Sequence, residues 1–361
     1  MRRPILKTQP SAEPIGDVAV GTLPGGTTVV AASVATGRGL LVTVDDYLQR
    51  QSRFDRQARV CLRAEVVDVT VDIYRDYVAS QVMSWTKAEL AALRTIVAAT
   101  AELFERLSLR LPETIHLVKT SGQEEGYAAY TRREDTVVLP ANMVASVATA
   151  TSYGDPLHPT DDVSYLQGVF VHECFHLFSK NNPEARYRLY ELVGYRPTGN
   201  LVEVPDVPWG APGAHGSMRD LRVTNPDEPD LDIYIELVVP ANPQNKDGPL
   251  VKRPLLPLLL ATGPYTGGIF FEYLQWWFMA IEQGVDGRWR AVLDPEGRPL
   301  LYDSGPLQQE YLKRVGANFT AEIFEPDEIL AQNFVLVADQ PSLGLLTAMK
   351  EQLGAHRKAA S

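Results

Sequence analysis

Two of the six histidines in this 361-residue chain stand four apart, in His172-Glu173-Cys174-Phe175-His176. In a helix such a pair lies one turn apart on one face. Both imidazoles can then reach a single zinc ion, with the intervening Glu173 beside them. Neutral imidazoles leave a coordination position for water, whose pKa falls towards 7. A carboxylate one residue after the first His can take the water's proton and pass it to a leaving amine. That chemistry is amide hydrolysis by a zinc-bound water, with Glu173 as general base and one Zn2+ per chain. Cys174 falls about 200° round the helix from His172, so it points away from the metal into packing. His116, His158, His215 and His356 have no ligand spacing.

The pair works only on a helix, and the flanking residues predict one. Thr160, with Asp161 and Asp162 behind it, suits a helix start, and Val163, Leu166, Phe170 and Leu177 continue an apolar face to about Ser179. Upstream, Thr86-Lys87-Ala88-Glu89 fits a capping box for a helix carrying Leu90, Leu93, Val97, Phe104 and Leu107, closed by Pro112. Short strands are expected over 115–119, 127–131 and 136–139, the last two joined by Arg132-Arg133-Glu134-Asp135, so a small sheet precedes the motif helix. A second helix is expected over 183–193, ending at Gly194.

Residues 1–44 read as an extended arm or edge strands around the turn Pro24-Gly25-Gly26. Helical spacing follows, with Thr70 capping a helix whose Ile73, Tyr77, Val78 and Val82 fall on one side. Between 200 and 305 the composition changes to Pro-rich loops and strands, expected over 234–239, 250–260, 270–281, 289–293 and 299–302. The aromatic run Phe270, Phe271, Tyr273, Trp276, Trp277 and Phe278 reads there as sheet core. The chain end returns to helix, with Pro326 near one start and Ser342 capping another that stops at Gly354. The expected organisation is an N-terminal arm and helical region (1–85), a core (86–200), a β-rich insertion (201–310) and C-terminal helices completing the core (311–361).

Composition limits the partners. Forty-five acidic against 34 basic side chains give a net charge of −11, which argues against nucleic acid as a partner. No apolar run approaches the roughly 20 residues of a membrane span. Met1-Arg2-Arg3 is not followed by the apolar stretch of a signal peptide, which favours a cytoplasmic location. Cys61 and Cys174 exclude a disulfide scaffold and allow one long-range bridge at most.

From the motif helix and the sheet before it, the chain resembles the zincin-like metallopeptidases over 86–193 and the final helical region. The resemblance implies an α+β fold with a small mixed sheet over the motif helix, an edge strand binding extended peptide (127–131 or 136–139), and hydrolysis of a peptide or protein substrate. Within that group the third zinc ligand defines the branch. Leu177-Phe178-Ser179-Lys180-Asn181-Asn182 supplies neither the Gly nor the third His of a metzincin, which leaves the gluzincin branch, where a later Glu completes the site. Glu328, in Glu325-Pro326-Asp327-Glu328-Ile329-Leu330-Ala331-Gln332-Asn333-Phe334, is favoured, with Glu191 as the alternative. Gln332 stands where related segments can carry a second acid that orients a His. Tyr195, Tyr311 and Arg222 are candidate donors to a developing oxyanion. The rival readings are a non-catalytic zinc-binding interaction module and a zinc hydrolase of a non-peptide amide.

Overall fold

The computed structural model describes residues 16–147 apart from 64, 66, 106 and 108, together with 162–209, 216–315, 323–337 and 344–360. The expected Thr160 and Ser342 caps, His158 and His215 lie outside the described residues, as does the side chain of His356.

The β-branched runs flanking Pro24-Gly25-Gly26 form an antiparallel hairpin of β1 (Val18–Leu23) and β2 (Thr27–Ala31). Both turn glycines have φ +89°, a backbone state that a Cβ disfavours. The hairpin joins β3 (Thr114–Thr120), β4 (Tyr130–Arg132) and β5 (Thr136–Pro140) in one mixed sheet ordered β1-β2-β3-β5-β4. β2 and β5 run parallel to β3, with Thr28 opposite Thr114 and His116 opposite Thr136. The N-terminal segment and the strands before the motif helix therefore share one sheet, across position 85.

The long connection from β2 to β3 carries α1 (Val34–Val42), α2 (Asp46–Arg50), α3 (Arg53–Arg59), α4 (Val71–Gln81) and α5 (Lys87–Phe104). Thr86 and Glu89 form the capping box that opens α5, and Leu90, Leu93, Val97 and Phe104 are buried along it. On α4, Thr70 is the cap, but the buried residues are Tyr74 and Val78, while Ile73 is exposed. Val78 and Val82 are buried and Tyr77 packs against them as expected, while Tyr74 takes the place of Ile73, packing with Tyr47, Val118 and Tyr130 in a second core cluster.

After α6 (Ala141–Val147) comes the motif helix α7 (Asp162–Asn181), then α8 (Pro183–Leu192). A second, antiparallel sheet follows: β6 (Tyr195–Pro197), β7 (Ile233–Pro240), β8 (Leu250–Ala261), β9 (Leu274–Gln283), β10 (Trp289–Ala291) and β11 (Leu301–Asp303), with the short α9 (Met218–Leu221) between β6 and β7. The aromatic run splits: Phe270 to Tyr273 is a 3-10 turn before β9, not strand. Helices α10 (Ser304–Val315), α11 (Pro326–Val337) and α12 (Gly344–Ala360) close the chain, and α12 runs through Gly354 instead of stopping there.

One main core serves all of this. It takes Val20 and Val29 from the hairpin, Phe170 and Phe175 from α7, Ile235 and Leu237 from the second sheet, and Phe334 and Met349 from the last helices. Phe334 sits between Phe104 and Phe175, at ring-centroid distances of 5.7 and 5.4 Å, and so fixes α11 against α5 and α7. Burying one such ring contributes about 1.5–3 kcal/mol. Cys61 and Cys174 are both free thiols. Among the described residues no helix is long and apolar enough to cross a membrane.

Candidate metal centre

The apolar face of α7 is locked into the core, Cys174 and Phe175 included, and this turns His172 and Glu173 towards a cleft of about 530 Å³ that Glu328 also lines, with His176 fully buried beside them. The imidazole Nε2 atoms of His172 and His176 are 2.9 Å apart. Glu328 comes from the first turn of α11. Its Oε2 lies 3.2 Å from His172 Nε2 and 3.6 Å from His176 Nε2. Its Oε1 accepts a 2.8 Å bond from Asn225 Nδ2, which orients the carboxylate. The three donor atoms lie within 4.8 Å of one another. Two imidazole nitrogens and one carboxylate oxygen suit zinc and leave a fourth position open.

Asp327, next to Glu328, holds the far side of His176. Its Oδ2 is 2.6 Å from His176 Nδ1, while Oδ1 accepts from Ser179 Oγ at 2.5 Å and Tyr190 OH at 2.9 Å. A carboxylate there keeps the proton on Nδ1 and frees Nε2 as a ligand. The orienting acid thus precedes Glu328, whereas the sequence reading looked for it at position 332; Gln332 lines the cleft.

Glu173 is 3% exposed, and its Oε2 has no hydrogen-bond partner among the described residues. Burial, reinforced by the Asp227 carboxylate, raises its pKa well above the ordinary glutamate value. For His176 burial opposes the charge, but Asp227, Glu328 and the bond to Asp327 outweigh it and raise the imidazole. Glu328 is the mirror case: burial would raise it, and His176 and His172 hold it well below the usual range.

The loop that carries Asn225 also carries Asp227, whose Oδ1 accepts from Thr131 N at 2.7 Å and Thr131 Oγ1 at 2.5 Å. Thr131 lies in β4, the edge strand of the mixed sheet. Residue 127 is not part of that strand. Tyr127 has φ +71° and its amide donates to the Gly122 carbonyl, so the chain turns before β4 begins. A bulky residue in this region is uncommon and costs on the order of 1–3 kcal/mol. The turn leaves Tyr127 half exposed at the cleft, opposite the half-exposed Tyr165 of α7. Gly126 allows the aromatic wall to close in: a Cβ there would lie 2.6 Å from the Phe271 ring. Phe270 and Phe271 line the cleft, whereas Trp276 and Phe278 pack against Tyr311.

Glu191 is exposed on α8 and does not join the cluster. Tyr195 and Tyr311 are also displaced from their expected role. Their buried hydroxyls pair with each other at 2.9 Å, the Tyr311 hydroxyl reaches the Ile323 carbonyl, and neither ring lines the cleft. The Arg222 guanidinium donates to the Pro229 carbonyl and likewise does not line it. The segment holding Arg222 does reach the centre, through Asn225 and Asp227, which sequence reasoning passed over; Asn-Pro-Asp marked a turn, but nothing local marked its direction. Comparison with protein-family models, with curated proteins and with solved structures gave no match.

Proposed function

We propose that the protein is a zinc-dependent metallopeptidase of the zincin type, gluzincin branch, with His172, His176 and Glu328 as metal ligands and Glu173 as general base and then general acid. The observation that carries this is the convergence of three zinc-type donors beside a buried carboxylate, Glu173, whose Oε2 has no hydrogen-bond partner among the described residues, in a cleft. A zinc ion supplies Lewis acidity there, lowering the pKa of water towards 7 and polarising a carbonyl. Glu173 takes the proton of the attacking water and returns it to the leaving amine; its raised pKa suits it to hold that proton near neutral pH. Asp327 fixes the tautomer of His176, and Asn225 aims Glu328. The aromatic wall of Phe270 and Phe271 helps exclude bulk water, and the hydroxyls of Tyr127 and Tyr165 are the cleft's candidate donors to the carbonyl oxygen. The edge position of β4 over this cleft supports a zincin-like core. A buried Glu173 beside the histidines weighs against a purely structural zinc site, which has no use for an ionisable base.

The test is zinc content per chain for wild type and Glu328→Ala, purified side by side with folding checked by circular dichroism. About one zinc in the wild type, largely lost from the folded variant, is expected. Equal occupancy in both would remove Glu328 from the ligand set, and no zinc in either would end the proposal.

A further inference from the structure

The loop over residues 223–228 is tied down on every side. Asp227 takes the Thr131 amide and hydroxyl, Lys180 Nζ donates to the Pro226 carbonyl at 3.0 Å, Asn225 Nδ2 bridges Glu325 and Glu328 at 2.8 Å each, and the Thr224 amide reaches Asp55. This rigid loop crosses the edge strand at one place. In the pairing of β4 with β5, Tyr130 faces Val138 and Arg132 faces Thr136, and the Thr131 amide points outward. Asp227 occupies that outward amide. An extended chain can pair with the edge beside Ala128 and Ala129, which line the cleft, but cannot continue past Thr131. The cleft is closed at this end.

The closed end is negatively charged. Both of the hydrogen bonds from Thr131 fall on Oδ1 of Asp227, and the residue lines the cleft within 4.8 Å of Glu173 and His176. Of the neighbouring cations, Lys180 donates to neutral oxygens, those of Thr131 Oγ1 and the Pro226 carbonyl. Arg59, which also lines the cleft, is paired with the carboxylates of Asp55 and Glu125 and donates to the Thr224 carbonyl. At this end an ammonium group would find the Asp227 carboxylate as a ready acceptor, whereas a substrate carboxylate would meet a like charge there.

The geometry points to Asp227 as the dock for the free α-ammonium group of a peptide, so that the substrates are peptides with an unblocked N-terminus and the bond cleaved is the first. It rests on the hydrolytic function proposed above. The distances favour an α-ammonium over a side-chain cation. A hydrogen-bonded ammonium nitrogen stands about 2.8 Å from its carboxylate oxygen, and the carbonyl carbon of the same residue is about 2.5 Å further. Together these span about 5 Å, which carries the carbonyl from Asp227 as far as Glu173 and His176, whose ligand atoms lie within 4.8 Å of it. A lysine ammonium, about 6 Å from its own Cα, would push the carbonyl beyond that reach. In hydrolysis of this bond, water adds to the carbonyl of the first residue, the C–N bond breaks, Glu173 delivers the proton to the leaving nitrogen, and a free amino acid departs.

The experiment compares Phe-Ala-Ala-amide with its N-acetyl form on the zinc-loaded full chain, with products mapped by mass spectrometry. Binding of both peptides to zinc-loaded Glu173→Gln is measured by calorimetry. Release of free phenylalanine from the unblocked peptide, and affinity for it at least about 30-fold above the acetylated one, are expected, because the loss of a paired charge is expensive in a desolvated cleft. Adding Asp227→Asn should bring the two affinities within a few-fold. Equal cleavage of the acetylated peptide overturns the dock and leaves the peptidase standing, and equal binding of the two peptides overturns the dock. Selective binding of the unblocked peptide without cleavage by the wild type overturns the peptidase and leaves the dock. The wild-type comparison needs no variant to fold.

Discussion

Asp327→Asn changes one charge at nearly constant size and probes how the proposed ligand set is organised. The carboxylate of Asp327 receives three donors: His176 Nδ1 on one oxygen, Ser179 and Tyr190 on the other. An asparagine has one oxygen to offer. If it faces Ser179 and Tyr190, its amide N–H groups meet His176 Nδ1 and drive the imidazole proton to Nε2, the nitrogen needed for the metal. If it faces His176, both hydroxyls must find other acceptors in a buried site. Either arrangement also removes the charge that makes His176 a stronger ligand. Changes of this kind typically lower metal affinity 10–100-fold, equivalent to about 1.4–2.8 kcal/mol. Zinc affinity measured by competition with a chromophoric chelator, at a pH where the folded state is retained by circular dichroism, should fall by that factor. An unchanged dissociation constant in a folded variant would mean that Asp327 does not set the state of His176.

Glu173→Gln should keep zinc and lose activity by about 10²–10⁴-fold in kcat, the range expected for a positioned proton-transfer group; full activity with bound zinc would refute its role. Phe334→Ala removes the ring wedged between Phe104 and Phe175 and should cost about 3–5 kcal/mol in urea unfolding. It should also weaken zinc binding, because α11 carries Glu328. Glu124 is buried with its Oε2 unpartnered, and burial raises its pKa above the ordinary value. The folded chain therefore holds that proton more tightly than the unfolded chain, and stability is lost as pH rises from about 4.5 through the raised pKa. Glu124→Gln removes this dependence, so its Tm relative to wild type should improve between pH 4.5 and 8. A relative Tm that falls over that window would contradict the assigned direction.

What the sequence made legible followed from local periodicity. The four-residue spacing of His172 and His176 on an apolar-faced helix, the Thr86 to Glu89 box and the Pro326 helix start are written within a few residues each, and local rules read them. Glu328 was accessible because it opens a helix. Asp327 was missed although it is adjacent: neighbouring residues in a helix point about 100° apart, so one can reach the Nε2 side of the histidines and the other the Nδ1 side. Asp227 could not be found this way, because its place is set by contact with Thr131, 96 positions earlier. Tyr195 and Tyr311 erred in the opposite sense, being near the motif segments in sequence yet directed into the core. Tyr127 reads as strand by composition, but the left-handed turns at Gly122 and Gly126 override that preference.

The separation of His176 from Asp327, 151 positions along the chain, has a consequence for biosynthesis. At about 5–20 residues per second, a ribosome takes on the order of 10–30 s to pass from one to the other. Throughout that interval the emerging chain carries both histidines and the general base but neither Glu328 nor the carboxylate that orients His176. The proposed ligand set is then complete only once α11 has been made and docked. The proposed hydrolytic centre would thus stay incomplete while the intervening segment is made.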